Sequence, residues 1–251
     1  MISTHLMGGL GNMLFQIAAG YSHSFRMQSD FVLSDANASS INHTPIKDYK
    51  DNVFRNLKFI KDYELILYRE TSFEYKELHK VDDIFLFGYF QSEKYFSNHS
   101  AEIRELFSPR ESDIRYLHDK YGDVGEYTSI HIRRGDYLNL QNHHPSCTLK
   151  YYSEAISKFD GKFLVFSDDI EWCKENFKGT DFIFIEGNLD YQDLYLMSIC
   201  KNNIIANSSF SWWGAWLNTN STKQVICPKQ WFGPLSKNNT KDLIPTEWET
   251  L

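Results

Sequence analysis

The second half of the chain alternates short strand-like runs with helical patterns. Strict alternation of this kind is typical of a parallel sheet, because each parallel strand needs a long crossover connection before the next. The predicted strands span residues 128–132, 162–166, 182–185, 203–206 and 224–227, and the predicted helices span residues 151–159, 171–177, 194–200 and 212–217. The pattern therefore predicts an open α/β sheet over residues 126–251.

The first half predicts a second unit of the same class. A strand over residues 2–7, a glycine-rich turn and an apolar helical face precede another strand at residues 31–33. That helical face consists of Leu14, Ile17, Ala18, Tyr21 and Phe25. Further on, the sequence predicts a strand over residues 84–90 and helices over residues 98–107 and 111–121, whereas residues 36–80 give no clear pattern. The breaker Gly122-Asp123-Val124-Gly125 predicts one domain over residues 1–125 and another over residues 126–251.

The composition excludes several classes of protein. The net charge is -7 at pH 7 and no block of lysine or arginine occurs, which argues against a nucleic-acid partner. No apolar run reaches the roughly 20 residues of a membrane span, and the first residues do not resemble a secretion signal, so we expect a cytoplasmic protein. The four cysteines lack Cys-x-x-Cys spacing, which predicts buried free thiols and no zinc site.

Three predicted strands of the second half end in polar clusters. The clusters are His131–Asp136, Ser167–Asp169 and Asn207–Ser211. Because the carboxyl ends of parallel strands share one edge of a sheet, where open α/β folds bind their ligands, we expect the clusters to form a single site. A turn with helix-capping residues would explain any one cluster. It does not explain why all three strand ends carry one.

The residue types in these clusters suit a nucleoside diphosphate. The Arg133 guanidinium can hold phosphate oxygens through two parallel hydrogen bonds. The hydroxyls and amides of Ser208 and Ser209, at a helix amino terminus, favour the remaining phosphate oxygens. A carboxylate at Asp168 or Asp169 can accept two hydrogen bonds from the donors on guanine, which favours guanine over adenine.

Five segments resemble the motifs of glycosyltransferase family 11, the α-1,2-fucosyltransferases. They are Gly8–Gln16, Gly88–Phe96, His131–Tyr137, Phe166–Asp169 and Asn207–Leu217. The resemblance covers both halves of the chain in order and leaves only the stretch from about Ala36 to Lys80 unmatched. One departure is Met13, where the family usually has glutamine.

The resemblance implies a GT-B fold, an α/β architecture of two Rossmann-like domains facing a cleft. It implies an acceptor-side domain at residues 1–125 and a GDP-fucose-binding domain at residues 126–251. The reaction implied is inverting transfer of fucose from GDP-β-L-fucose to the 2-hydroxyl of a terminal β-galactoside, without a metal or other cofactor. An acceptor glycan carried on a lipid would bring the enzyme to the inner face of a membrane without a transmembrane segment.

By the same resemblance, a specific set of residues would form the site. Donor binding is assigned to Gly9, Gly11, Asn12, His131, Arg133, Arg134, Asp168, Asp169, Asn207, Ser208, Ser209 and Phe210. Arg133 would hold the β-phosphate, and Asn12 would lie near the reacting centre. The catalytic candidates are Arg133, Asn12 and Asp136.

Several of these roles have structural alternatives. Asp136 could act as the base or could orient the arginines through a salt bridge, and no base can be assigned from the sequence. Arg134 could pair with a carboxylate beneath the loop, and His131 taken alone could be a core histidine. Trp212, Trp213 and Trp216 have helical spacing, which predicts that they belong mostly to the core.

Other functions fit parts of the sequence. Gly9, Gly11 and Asp35 suggest a dinucleotide-binding oxidoreductase, but Leu14 occupies a position at which that motif needs a small residue. A non-catalytic glycan- or nucleotide-binding protein would share the binding residues and transfer nothing. Display of Arg134-Gly135-Asp136 as an adhesive tripeptide is disfavoured, because the tripeptide directly follows a predicted strand.

Overall fold

The computed structural model describes residues 1–34, 38–39, 44–61 and 64–251. The chain forms two compact units, Met1–Arg110 with Asn238–Pro245 and Glu111–Lys237 with Thr246–Leu251. Both contain parallel strands, and in the second unit helices connect most of them. Within the described ranges, no helix combines the length and the hydropathy needed to cross a membrane.

The first unit is organised around one long helix and a small parallel sheet. Its strands are β1 (Ile2–Thr4), β2 (Leu6–Met7), β3 (Ala38–Ser39), β4 (Ile66–Arg69) and β5 (Ile84–Phe87), and its helices are α1 (Leu10–Met27) and α2 (Ser100–Leu106). The sheet has the order β1-β5-β4, and β2 pairs separately with β3. Helix α1 contacts β1 and buries Leu14 and Ile17 completely. Phe25, assigned to the same apolar face from the sequence, is instead 44% exposed and stacks on His99.

Three strands predicted for this unit differ in extent from the observed ones. The strand predicted over residues 2–7 is divided at His5, because β1 pairs with β5 whereas β2 pairs with β3. The strand predicted at residues 31–33 forms only isolated bridges, to Ile2 and to Phe59. The strand predicted to reach residue 90 ends at Phe87, and Phe90 has a left-handed backbone with φ 51° that a strand cannot accommodate.

The second unit has the strand order of a Rossmann fold. Its strands are β6 (Thr128–Ile132), β7 (Phe163–Ser167), β8 (Phe182–Phe184), β9 (Asn202–Ile204), β10 (Val225–Cys227) and β11 (Glu249–Thr250). Its helices are α3 (Glu111–Tyr121), α4 (Leu149–Ile156), α5 (Ile170–Asn176), α6 (Asp190–Ser198) and α7 (Ser209–Leu217). All strand pairs are parallel, in the order β8-β7-β6-β9-β10-β11. The chain moves outward from β6 to β8 and then crosses to β9 on the other side, so the order reverses between β6 and β9.

The core of the second unit explains why its strands are short and uniformly apolar. Ile130, Val165 and Ile204 are fully buried, and Tyr152 of α4 packs against them. A sheet covered on both faces needs apolar residues at successive positions rather than at alternate ones. The three tryptophans of α7, Trp212, Trp213 and Trp216, are buried as predicted.

Two helix starts and the domain boundary differ from the sequence expectation. Helix α6 begins at Asp190 rather than Leu194, with the Gln192 side chain accepting the Leu189 amide, and α7 begins at Ser209 rather than Trp212. The second unit begins at Glu111, whereas the sequence predicted a boundary after Gly125. The reason is that α3 contacts α6 of the second unit.

Candidate active site

The three polar clusters lie side by side at one edge of the second unit's sheet. Strands β9, β6 and β7 are neighbours in that sheet and run in the same direction. Their carboxyl ends therefore share an edge, as the sequence predicted. The reversal of strand order between β6 and β9 occurs at the same place, and open α/β sheets bind their ligands at such a reversal.

Arg133 is fixed by two carboxylates and an aromatic ring. The pairing of Ile132 with Ser167 places Arg133 beside Asp168, and their guanidinium nitrogen and carboxylate oxygen lie 3.0 Å apart. A second guanidinium nitrogen donates to Asp136 at 2.7 Å. The guanidinium carbon also lies 5.5 Å from the centre of the Tyr137 ring. The side chain keeps 30% of its surface exposed, so the cation is oriented and still accessible.

Asp168 organises the loop that follows β6. Besides pairing with Arg133, its carboxylate accepts the backbone amide of Arg134 at 2.8 Å. The loop passes so close to this carboxylate that a Cβ atom on Gly135 would lie 2.5 Å from an Asp168 oxygen. Only glycine allows this approach without displacing Asp168.

Arg134 is built into the fold. Its Nε donates to Asp169 at 3.0 Å, and its guanidinium lies 3.8 Å from the centre of the Trp172 ring. Asp169 also accepts the Trp172 amide at the start of α5, at 3.4 Å. The structure thus shows the salt-bridge alternative for Arg134, and it equally shows the Asp136–Arg133 bridge considered from the sequence.

His131 is a buried, neutral imidazole behind the loop after β6 that carries Arg133 and Arg134, called the arginine loop below. Only 6% of its surface is exposed, and burial, with a smaller effect of the Arg133 charge, lowers its pKa to about 3. Its Nδ1 lies 2.9 Å from the Ser211 hydroxyl, and its ring centre lies 5.6 Å from that of Phe210. Since Phe210 and Ser211 belong to α7, this histidine connects the ends of β6 and β9.

The Asn207 side chain holds neighbouring loops together. Its Nδ2 donates to the carbonyls of Pro145 and Trp231 at 2.8 and 2.9 Å, and the residue is 1% exposed. The Tyr137 hydroxyl donates to the Asn207 carbonyl at 3.1 Å. The sequence assigned Asn207 to ligand binding and gave Tyr137 no role. Tyr137 ends the family-like segment His131–Tyr137, but nothing in its spacing indicates this bond.

Ser208 and Ser209 lie at the amino terminus of α7. Ser208 is the N-cap residue and has an extended backbone, but its side chain makes no capping hydrogen bond. Amides in the first turn of a helix have no partner within the helix and favour an anion. Ser208, Ser209 and Phe210 therefore present an anion-favouring helix end beside His131.

The first unit carries the predicted glycine turn at the amino terminus of α1. Gly9 is the N-cap and Gly11 is buried in the first turn. Gly8 has φ 79°, and a Cβ atom there would collide with the Asn12 side chain. Asn12 accepts a hydrogen bond from Gln91 at 2.7 Å, which ties the glycine turn to the loop after β5.

All four cysteines are free thiols. Cys173, Cys200 and Cys227 are buried, and Cys147 is half-buried. Among the residues that the structure describes, no three His, Cys, Asp or Glu side chains are grouped in a way that could hold a metal ion. Independence from metal stays a prediction of the sequence resemblance.

The family model named "Glycosyl transferase family 11" matches residues 1–251 of the chain. The chain belongs to glycosyltransferase family 11. This glycosyltransferase is 34% identical over 286 aligned positions to an alpha-1,2-colitosyltransferase of Escherichia coli, covering 99% of this chain and 98% of the relative. It is also 29% identical to galactoside alpha-(1,2)-fucosyltransferase 1 of Lagothrix lagotricha, over 61% of this chain and 48% of that protein.

Solved structures support the same fold. The family 11 chain superposes on POFUT1, crystallised in complex with GDP-fucose, with a TM-score of 0.56 over 90% of this chain and 96% of the other. The sequence identity in that superposition is 12%, so the likeness concerns the fold. The predicted α/β class of GT-B type, with two Rossmann-like domains, is confirmed.

Proposed function

We propose that this glycosyltransferase transfers L-fucose from GDP-β-L-fucose to the 2-hydroxyl of a β-galactosyl acceptor, with inversion and formation of an α-1,2 linkage. The observation that carries the proposal is the convergence of the loops after β6, β7 and β9, where a doubly anchored arginine lies near a helix amino terminus. Membership of family 11 supports glycosyl transfer as the reaction.

The diphosphate of the donor is assigned to Arg133 and to the amino terminus of α7. A guanidinium forms parallel charge-assisted hydrogen bonds with phosphate oxygens, and the helix amides add neutral donors. Arg133 has two salt bridges, and Asp136 is 54% exposed whereas Asp168 is 25% exposed. Solvent therefore screens the bridge to Asp136 more strongly. A diphosphate would displace Asp136 from Arg133 first. Asp168 would keep the guanidinium in place.

Guanine is assigned to His131 and to Asp168 or Asp169. His131 stays neutral at physiological pH, because burial lowers its pKa to about 3, and since Nδ1 is bonded to the Ser211 hydroxyl it offers a base only its Nε2. Both carboxylates already accept hydrogen bonds from the arginine loop. Each carboxylate oxygen has a further lone pair, so guanine recognition and loop anchoring are compatible.

The mechanism follows from the charge that develops. When the bond between the sugar and the β-phosphate breaks, negative charge collects on the diphosphate and positive charge on an oxocarbenium-like sugar. A fixed cation beside the departing oxygen stabilises this state more than the ground state. We assign that cation to Arg133, with Asn12 near the reacting sugar and no metal or other cofactor required.

Colitosyl transfer is the second candidate. It is favoured by the identity of 34% to the colitosyltransferase, which extends over nearly the whole of both chains. Colitose is fucose that lacks one ring hydroxyl, so the same nucleotide site would serve both donors. Discrimination would depend on a few polar contacts to that hydroxyl.

The experiment that decides is a transfer assay with two donors. The protein is incubated with GDP-fucose or GDP-colitose and lactose, and the linkage in the product is determined by NMR. We expect a fucosyl group on the 2-hydroxyl of galactose. Transfer from GDP-colitose alone would replace the donor assignment, and linkage to a different hydroxyl would overturn the regiochemistry.

Location and acceptor context complete the proposal. We place the reaction in the cytoplasm, with an acceptor that is either free or carried on a lipid at the inner face of a membrane. Activity on lactose equal to that on a lipid-linked galactoside would argue against any contribution of the lipid.

A further inference from the structure

The Tyr137 ring beside Arg133 is itself supported by two further aromatic side chains. The imidazole of His144 stacks on it, with the ring centres 5.2 Å apart and an angle of 28° between the ring planes. Phe232 packs edge-on against the His144 ring, with the ring centres 5.5 Å apart. A series of contacts therefore runs from Phe232 through His144 and Tyr137 to the Arg133 guanidinium, all within the second unit.

The loop that carries His144 is held by hydrogen bonds of its backbone. The amides of His143 and His144 donate to the Leu140 carbonyl at 2.8 and 2.7 Å. The Pro145 carbonyl, next along the chain, accepts the Asn207 side chain at 2.8 Å. Since none of these four groups is the imidazole, the loop can keep its path when the ring of His144 is replaced.

The Tyr137 ring matters most when a diphosphate is bound. Of the groups that contact the Arg133 guanidinium, Asp136 would be displaced first, which leaves Asp168 and the Tyr137 ring to hold it. A cation over an aromatic face is attracted to it, and a packed aromatic pair is worth more than its buried area alone. Burial lowers the pKa of His144, so its ring is neutral at physiological pH and does not repel the guanidinium.

We propose that His144 is a positioning residue of the donor site, an inference that rests on the proposed function. Its ring holds the Tyr137 ring in place, and the Tyr137 ring in turn keeps the Arg133 guanidinium directed at the diphosphate. His144 acts through Arg133 and touches neither the nucleotide nor the sugar. Loss of its ring should therefore weaken binding of the diphosphate and leave binding of the guanine unchanged.

The test compares His144→Leu with His143→Leu by isothermal titration calorimetry. Leucine fills a similar volume without a flat ring, and His143 is the exposed neighbour in the same loop. For His144→Leu we expect the Kd for GDP to rise about 2–10-fold, as the loss of one aromatic pair implies. The Kd for guanosine, which has no diphosphate, should not change. His144→Phe should restore the wild-type Kd for GDP, and His143→Leu should leave both constants unchanged.

A double-mutant cycle measures whether the effect passes through Arg133. In the Arg133→Lys background, His144→Leu should raise the Kd for GDP by a smaller factor than in the wild type, because the group it positions is gone. An equal factor in both backgrounds would overturn the route through Arg133.

The remaining outcomes separate the role of His144 from the proposed function. A folded His144→Leu protein with the wild-type Kd for GDP overturns the role, and so does an equal loss of affinity for GDP and guanosine. If His144→Leu does not fold, NMR of the wild type decides. The His144 ring protons should then shift on binding of GDP and not of guanosine, and absence of the GDP shift overturns the role. Wild-type protein that binds no GDP overturns the proposed function itself.

Discussion

At the scale of single residues, the candidate site is a cation held by surrounding groups. Arg133 pairs with Asp136 and Asp168 and faces the Tyr137 ring. Arg134, its neighbour in sequence, is instead held by Asp169 and Trp172. Two adjacent arginines thus have different roles. Arg133 is fixed at the sheet edge where the loops after β6, β7 and β9 meet, whereas Arg134 stacks on Trp172 of α5.

We expect Arg133→Lys to lower kcat on the order of 10²–10³-fold, the typical cost of removing one preorganised electrostatic group. An ammonium cannot pair with both carboxylates and also present two parallel donors to a phosphate. The measurement is steady-state transfer from GDP-fucose. The control is Arg115→Lys on the exposed surface of α3. Near-normal turnover of Arg133→Lys would contradict the role given to the Arg133 guanidinium.

At the scale of secondary-structure elements, the site depends on loops that are joined to one another. The loop after β9 is joined through the Asn207 side chain to the carbonyls of Pro145 and Trp231. The Tyr137 hydroxyl joins it to the loop after β6. These bonds fix the positions of the strand ends that the sheet brings together.

We expect Asn207→Ala to lower the free energy of unfolding by on the order of 3 kcal/mol, because two buried carbonyls lose their donor. Urea denaturation measures this loss, and GDP affinity should fall as the loops loosen. Asn142→Ala is the control, since that side chain is exposed. An unchanged urea midpoint would show that these bonds contribute nothing to the folded state.

The sequence predicted some elements closely, for physical reasons that can be stated. Helix α3 and strand β6 have the predicted bounds, because their periodicity is regular and their ends carry polar or glycine residues. The convergence of the three clusters followed from parallel strands sharing an edge. The pairing of each arginine with a particular aspartate depends on the register of β6 against β7, which no local pattern encodes. His144 lies in a loop for which the sequence predicted no structure, so its stacking on Tyr137 could not be anticipated.

At the scale of the whole molecule, stability should depend on pH through His131. Burial lowers its pKa to about 3 in the folded state from the ordinary histidine value of 6.5. Below about pH 6.5 the unfolded chain binds a proton that the folded chain does not, so stability falls as pH falls toward about 3. The slope from this residue is about 1.4 kcal/mol per pH unit at most.

Urea unfolding between about pH 7.5 and pH 4.5 measures this dependence. We expect His131→Gln to show a shallower slope than the wild type across that range, because the titrating group has been removed. Equal slopes in the two proteins would mean that His131 is accessible to protons in the folded state.

The whole molecule should also work without a metal. We expect transfer to continue undiminished after exhaustive treatment with EDTA, because Arg133 and helix amides are proposed to stabilise the departing diphosphate. As a control, transfer by the EDTA-treated protein is measured with and without added Mg²⁺ or Mn²⁺. Loss of transfer in EDTA with recovery on adding either ion would contradict this assignment.

The proposed function requires the loops after β6, β7 and β9 to form one guanine-nucleotide site. Isothermal titration calorimetry of the wild-type protein with GDP, and separately with ADP and NAD, measures whether they do. We expect one GDP to bind per chain, with ADP and NAD weaker by at least about tenfold because they lack the guanine donors. Absence of heat with GDP, or equal affinity for ADP, would contradict the proposed function.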